Sequence, residues 1–166
     1  LTGEAYFKVA KNTEHPFVVT AGELEVLVTG TTFGVRAYKD EKDIQTTLES
    51  GQVTVRVEGK SVKLVPNKQV LFNKLTMGVE VRDVDVDLYL AWADGRLVYD
   101  NCPLEKILTD LGRWYNIDVF YSRDELRSYQ FSLNMKKHEE FIQVLELIGK
   151  TGEVQFEVKD NTVIVR

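Results

Sequence analysis

The chain has 166 residues, of which 43% are hydrophobic and 28% are charged, enough apolar material for one large domain or two small ones. Its formal net charge is -5, and its densest basic run is only Lys136-Lys137-His138. Nucleic acid is bound through a concentrated patch of Lys and Arg, so the composition excludes a nucleic-acid partner.

The single cysteine, Cys102, rules out an internal disulfide, and no apolar run approaches the roughly 20 residues that cross a bilayer. The sequence opens at Leu1 inside a strand-like pattern, with neither an initiator Met nor a signal peptide. We therefore expect a fragment of a longer protein, with any targeting or anchoring segment lying outside it.

A period-two pattern fills residues 1–88 and predicts an all-β domain. Val53, Val55 and Val57 alternate with polar residues, which places the valines on one buried face. The other predicted strands are 4–9, 17–20, 24–28, 33–38, 44–48, 62–65, 70–72 and 79–81. The glycine-bounded strand at 22–30 recurs at 51–59, so we expect a twisted β-sandwich or short solenoid; chance similarity between strands is the alternative.

Residues 89–166 change to the pattern of a small α+β lobe. Apolar residues at 104, 107, 108 and 111 share one helical face, and Pro103 suits the first helical position. A second helix is predicted to begin near Glu139 and Glu140 and to end at Gly149 or Gly152. The predicted strands are 96–99, 117–121, 129–133, 154–158 and 162–165. Each helix is apolar on one side only, so the order βαβ-βαββ predicts two helices on one sheet.

The histidines and aspartates do not form a recognisable metal or catalytic site. His15 and His138 lie far apart in the sequence. The alternating aspartates at 83, 85 and 87 suggest calcium, but an EF-hand loop would require Gly and Glu where Leu88 and Asp94 stand. We predict no enzyme activity, no metal and no cofactor.

Cysteine and tryptophan each allow two interpretations. Cys102 precedes a predicted helix, where a thiol can be activated, yet it lacks a recognisable catalytic partner. We expect a buried or semi-buried small residue. Trp92, Trp114 and Tyr115 suit either a sugar-stacking platform or ordinary packing, and packing is the commoner use.

Several motifs resemble the FecR family in their order and spacing. In the first half they are GEAYFKVA at 3–10, PFVV at 16–19, VTGTTFGV at 28–35 and LESGQV at 48–53. In the second half, WADGRLVYDNCPL at 92–104 and LGRWYNI at 111–117 resemble the domain that follows in many members. The resemblance covers nearly the whole chain. It implies a FecR-like β domain at 1–88 and a lobe at 89–166 similar to the short N-terminal domain of secretins and TonB-dependent transporters.

The resemblance also implies a function. FecR-like proteins are sigma-factor regulators in the inner membrane of Gram-negative bacteria. A cytoplasmic anti-sigma segment, which would contact the sigma factor, and one transmembrane helix would lie outside this sequence. The present chain would be the periplasmic part, tethered to the membrane only through that helix. It would receive a signal from the N-terminal signalling domain of a TonB-dependent outer-membrane transporter.

Two local features accompany the resemblance. The strands that normally precede Gly3 are not in this sequence, so we expect one open edge in the β domain. Some family members are reported to cut themselves at a Gly-Thr bond, and Gly30-Thr31 matches that motif. A strained peptide would let the threonine hydroxyl attack the preceding carbonyl. A tight turn between strands is the favoured alternative.

We predict a signal-receiving module that works by protein contact. A partner strand would add to an exposed sheet edge, with main-chain hydrogen bonds supplying affinity. The preferred edge is Tyr129, Gln130, Phe131, Ser132 and Leu133, and the strand at 162–165 is the second choice. A carbohydrate-binding β-sandwich with an accessory lobe is the alternative function.

Overall fold

A computed structural model describes residues 1–136 and 141–166. The chain divides into two compact units, unit 1 (Leu1–Asp94) and unit 2 (Gly95–Arg166). The domain boundary predicted between residues 88 and 89 stays a prediction. The start of the second helix near Glu139 and Glu140, and the histidine at 138, lie outside the described residues.

Unit 1 is a sandwich of two antiparallel sheets, as the period-two pattern predicted. One sheet has the order β1-β4-β5-β8-β9, and the other has the order β2-β3-β6-β7. The strands are β1 Gly3–Val9, β2 Phe17–Ala21, β3 Leu24–Val28, β4 Thr31–Ala37, β5 Asp43–Ser50, β6 Val53–Val57, β7 Lys60–Leu64, β8 Lys68–Asn73 and β9 Val79–Asp83. Successive hairpins alternate between the sheets, so each inner face receives every second residue of its strands.

The core of unit 1 consists mainly of valine, leucine and phenylalanine from these inner faces. Val26 and Val55 are completely or almost completely buried and lie opposite each other on β3 and β6. Those two strands are the recurring glycine-bounded segments, and they are antiparallel neighbours within one sheet. Phe33 is fully buried, and its ring stacks on that of Phe7 at 5.1 Å between centroids.

A short helical segment follows the last strand of unit 1, at a point where we predicted no helix. Helix α1 (Asp87–Leu90) and a 3-10 turn (Ala91–Asp94) follow β9. Both are too short to display a helical period in the sequence. We call residues 84–94 the strap.

Unit 2 follows the predicted order βαβ-βαββ, and the α+β class is confirmed. Its elements are β10 Arg96–Pro103, α2 Leu104–Tyr115, β11 Asp118–Tyr121, a 3-10 turn Asp124–Ser128, β12 Gln130–Lys136, α3 Ile142–Gly149, β13 Phe156–Lys159 and β14 Thr162–Val165. Helix α2 begins one residue later than predicted, because Pro103 still has an extended ψ of 138° and closes β10.

The strands of unit 2 form two sheets instead of the single sheet that we expected. Strands β10 and β12 pair antiparallel, while β11, β14 and β13 form a separate sheet in that order. The physical reason is the packing of α2, which contacts both β10 and β11. Its apolar stripe, from Leu104 to Leu111, is buried, and the helix packs against strands of both sheets. One-sided helices do not require one sheet.

Candidate partner-binding site

Strand β12 has an unpaired edge. It pairs with β10 on one side, and no other strand of the described residues lies on its second side. Phe131 and Leu133 are 7% and 9% exposed and anchor the strand in the core of unit 2. Gln130, Ser132 and Asn134 alternate with them and are exposed. Main-chain groups on an unpaired edge are able to pair with an extended segment of another protein.

Tyr129 does not belong to this edge. The strand begins at Gln130, and Tyr129 uses both of its main-chain groups inside unit 2. Its N–H donates to the carbonyl of Leu126 at 3.3 Å, and its carbonyl accepts from the N–H of Leu104 at 2.7 Å. The tyrosine therefore fixes the turn that leads into β12.

Ser132 is exposed, and its side chain also forms hydrogen bonds with a β-bulge in β10. Between Tyr99 and Cys102, β10 carries two residues, Asp100 and Asn101, opposite the single Ser132, which is a β-bulge. The Ser132 hydroxyl accepts from the N–H of Asn101 at 2.8 Å and donates to an Asp100 carboxylate oxygen at 3.1 Å. The bulge and Pro103 make β10 an irregular edge, whereas β12 runs regularly for 7 residues.

The second-choice edge, strand β14, is excluded. It lies in the middle of its sheet, parallel to β11 on one side and antiparallel to β13 on the other. With partners on both sides, it has no edge to offer. The order of strands could not be read from the sequence because the hairpin with β13 reveals only one of the two neighbours.

A buried carboxylate ties α2 to β10. Asp110 is 3% exposed and accepts the Tyr99 hydroxyl at 3.1 Å. Lys106 also bonds to it, and the Arg113 guanidinium lies 3.9 Å from its second oxygen. Because a buried charge is costly unless paired, this cluster fixes the rotation of the helix against the strand. Helical spacing of apolar residues gave no hint of this cluster.

Cys102 is half-buried, as expected, and its thiol is unreactive in character. Burial raises its pKa from 9.0 to about 11, with the neighbouring Lys106 acting in the opposite direction. A thiol with such a pKa stays protonated at neutral pH, and only the thiolate is a good nucleophile.

The Gly30-Thr31 motif forms a closely packed junction between β3 and β4. Thr31 is 4% exposed, and its hydroxyl donates to the carbonyl of Gln52 at 2.8 Å. Gly51 lies against the same peptide: a Cβ at Gly51 would come within 2.6 Å of the Gly30 carbonyl oxygen. The hydroxyl therefore locks two chain segments together, which supports the tight-turn interpretation.

The aspartates at 83 and 85 have local partners. Asp83 pairs with Lys68 at 2.6 Å, and an oxygen of Asp85 accepts the N–H of Asp87 at 3.1 Å. His15 is exposed on a loop. Across residues 1–136 and 141–166, no three His, Cys, Asp or Glu side chains converge as a metal site would require.

The tryptophans do not form a joint platform within either unit. Trp92 lies in unit 1, partly buried, with its indole N–H donating to the carbonyl of Tyr89 at 2.8 Å. Trp114 lies in unit 2 and packs against the core. An open groove of about 600 Å³ on unit 1 is lined by polar hairpin residues, among them Glu25 and Arg56, and contains no aromatic ring.

The fold defines a class: a two-unit, strand-rich protein in which a β-sandwich is followed by a small α+β unit. The model of the FecR protein family matches residues 1–64, and the model of the FecR C-terminal domain matches residues 96–165. The chain belongs to the FecR family.

Two solved structures share this architecture. Both are crystal structures of a candidate anti-sigma factor from Parabacteroides distasonis ATCC 8503, at 1.65 and 2.50 Å resolution. Their TM-scores are 0.83 and 0.82, with 22% sequence identity in each case. The similarity covers 99% of this chain and 77% and 76% of those chains. At this identity the likeness establishes the fold.

No protein of a curated set matches the sequence significantly. None of the helices in the described part of the chain has both the length and the apolar character needed to cross a membrane.

Proposed function

We propose that this chain is the signal-receiving region of a FecR-family sigma-factor regulator. We further propose that it receives the signal when a strand of a partner protein adds to the free edge of β12. Two observations support the regulatory role: membership of the FecR family, and a similar fold in a Parabacteroides protein described as a candidate anti-sigma factor. FecR-family proteins are typically regulators, and we propose that this chain likewise works by contact and not by catalysis.

The observation that carries the binding mode is the regular, unpaired edge of β12. Phe131 and Leu133 hold the strand on the core, so the edge is presented in one fixed register. Added main-chain hydrogen bonds supply affinity, and the exposed Gln130 and Asn134 supply selectivity. The other strand of this sheet, β10, is interrupted by its bulge and ends in proline, which suits an edge that must stay unpaired.

The proposed partner is the N-terminal signalling domain of a TonB-dependent outer-membrane transporter. In this arrangement the chain lies in the periplasm, tethered to the inner membrane by a helix elsewhere in the protein, and the sigma factor is contacted by a cytoplasmic segment. Binding transmits a signal only if the partner prefers one conformation of the regulator over another.

Isothermal titration calorimetry of the chain with that signalling domain tests the proposal. Two double variants of the edge decide the binding mode: Gln130→Glu with Asn134→Asp, and Gln130→Lys with Asn134→Lys. A charge of either sign at an edge that becomes buried must be desolvated. We expect each variant to weaken binding at least tenfold, or about 1.4 kcal/mol.

The matched control for the acidic variant is Gln155→Glu with Asn161→Asp, which adds two negative charges at exposed positions near the β13–β14 hairpin. We expect it to leave the affinity unchanged. Absence of binding by the unaltered chain would refute the proposed partner. Weaker binding with carboxylates but tighter binding with lysines would refute strand addition in favour of simple charge attraction.

Self-cleavage at Gly30-Thr31 stays a separate prediction, and no specific observation favours carbohydrate binding as a second function. The intact mass of the full-length protein from cells tests the cleavage. An uncut chain excludes it. Two fragments that disappear in Thr31→Ala would support it.

A further inference from the structure

The outer face of the five-stranded sheet of unit 1 carries a row of residues that crosses all five strands. Tyr6, Gly34, Thr47, Gln69 and Arg82 lie opposite one another in successive strand pairs. Thr47 and Gln69 are 3% and 0% exposed, although they lie on the face that points away from the sandwich core. Something covers this row.

The strap contributes to that cover, since it contacts the row at several points. Near β9, the Arg82 guanidinium lies 3.2 Å from the Tyr89 hydroxyl and 5.6 Å from the centre of its ring. Over β4, the 6%-exposed Leu90 fills the space above Gly34, where an added Cβ would lie 2.3 Å from the leucine Cδ2. Because Gly34 has no side chain, the space above it holds the side chain of Leu90. We call this space the socket.

The strap contacts the rest of unit 1 through the side chains of Tyr89 and Leu90 and through a main-chain hydrogen bond at its first residue. Its first residue, Val84, donates its N–H to the carbonyl of Asn67 at 3.0 Å. Further along the strap, main-chain hydrogen bonds such as the one from the Leu90 N–H to the Val86 carbonyl at 2.9 Å join strap residues to each other. A single helical turn is not stable by itself in water, so its order depends on this docking.

The hydrogen bonds that join Thr47, Gln69 and Arg82 do not involve the strap. The Gln69 amide donates to the Thr47 hydroxyl at 2.7 Å, and the Gln69 carbonyl oxygen accepts from Arg82 Nε at 2.9 Å. All three residues belong to the sheet itself. Opening therefore exposes Leu90 and the Tyr89–Arg82 contact to water without breaking these bonds.

We propose that the strap is a latch that opens while both sheets of unit 1 stay folded. When docked, it fixes the segment that leads to Gly95, the first residue of unit 2. When open, it adds its 11 residues (84 to 94) to the connection, which reach about 36 Å when extended. This device is a property of unit 1 and does not depend on the proposed partner.

Hydrogen exchange followed by mass spectrometry on the 166-residue chain tests the latch. In the unaltered protein, we expect amides of the strap to exchange faster than those of β5, the central strand of the sheet. Leu90→Ala removes the side chain from the socket and should speed exchange of the strap at least tenfold while β4, β5 and β8 keep their protection. Leu75→Ala, at a position 84% exposed, is the matched control and should leave the strap unchanged.

A double-mutant cycle tests the socket itself. Gly34→Ala places a methyl group where Leu90 lies and should also speed exchange of the strap. Combined with Leu90→Ala, it should add nothing, because the alanine leaves room for the methyl group. If Gly34→Ala also lowers the protection of β4 and β5, the substitution disturbs the sheet itself. The Leu90→Ala result then decides alone whether the strap opens independently of the sheet.

Three results would overturn the proposal. The first is a strap that exchanges in the unaltered protein only as fast as β5. The second is a Leu90→Ala variant in which β5 loses as much protection as the strap. The third is a double variant whose effect is the product of the two single effects.

Discussion

Units 1 and 2 bury their apolar residues by different geometries. In unit 1, two large sheets face each other, and alternate residues such as Val26, Phe33 and Val55 fill the space between them. In unit 2, short strands in two sheets share helix α2, and a polar cluster around Asp110 joins α2 to β10. A sandwich fixes its own register through strand pairing, whereas a helix on a sheet needs specific contacts to fix its rotation.

The largest expected effect tests the core of unit 1. Phe33→Ala leaves a cavity beside Phe7 and should lower the free energy of unfolding by about 3–5 kcal/mol. Phe120→Ala in unit 2 removes the same side chain at a position 60% exposed and should cost less than about 0.5 kcal/mol. Urea unfolding measures both. A similar loss in the two variants would contradict the assigned core.

The next effect concerns Cys102, near the end of β10 in unit 2. Because the Cys102 pKa rises from 9.0 to about 11, the folded protein holds the thiol proton more tightly than the unfolded chain. The tighter binding of this proton stabilises the folded state below about pH 9, and the stabilisation is lost as the pH rises towards 11.

At pH 8, iodoacetamide should alkylate the folded protein on the order of 100-fold more slowly than the urea-unfolded chain, because the thiolate fraction is that much smaller. Cys102 is the only cysteine, so the mass of the whole chain reports the reaction directly. Equal rates in the folded and unfolded states would show that the thiol is not buried.

A smaller effect tests the polar anchor of α2. Asp110→Ala removes the acceptor of the Tyr99 hydroxyl and should cost about 2 kcal/mol in unfolding free energy. Glu105→Ala, on the exposed side of the same helix, breaks a surface ion pair with Arg127 and should cost about 0.5 kcal/mol or less. If the two substitutions cost the same, apolar packing alone orients the helix.

The smallest effect concerns the end of α2. Asn116 terminates the helix with a φ of 53°, a left-handed conformation that costs an ordinary residue about 1 kcal/mol. We expect Asn116→Ala to lower stability by that amount, measured by thermal unfolding, and Asn116→Gly to keep it. Equal stability of the alanine and glycine variants would contradict a backbone origin.

Local patterns in the sequence were sufficient for most elements. Every predicted strand of unit 1 is present, and α2 buries the apolar residues that its spacing selected. These features follow from side-chain periodicity within a few residues, which a single sequence displays. The strap could not be predicted because a single helical turn is too short to show a helical period of apolar residues.

The candidate site was predicted only in part. Its residues could be chosen because Phe131 and Leu133 alternate with polar neighbours. That β12 is an edge, that β14 is central and that Tyr129 lies outside the strand all depend on which strands pair.

Most strands, helix α2 and the family could be predicted from the sequence alone, because each is encoded in neighbouring residues or in ordered motifs. The tertiary structure decided the two sheets of unit 2, the free edge of β12 and the leucine socket at Gly34. These features join residues that are distant along the chain, and a glycine shows what it accommodates only when its neighbour in space is known.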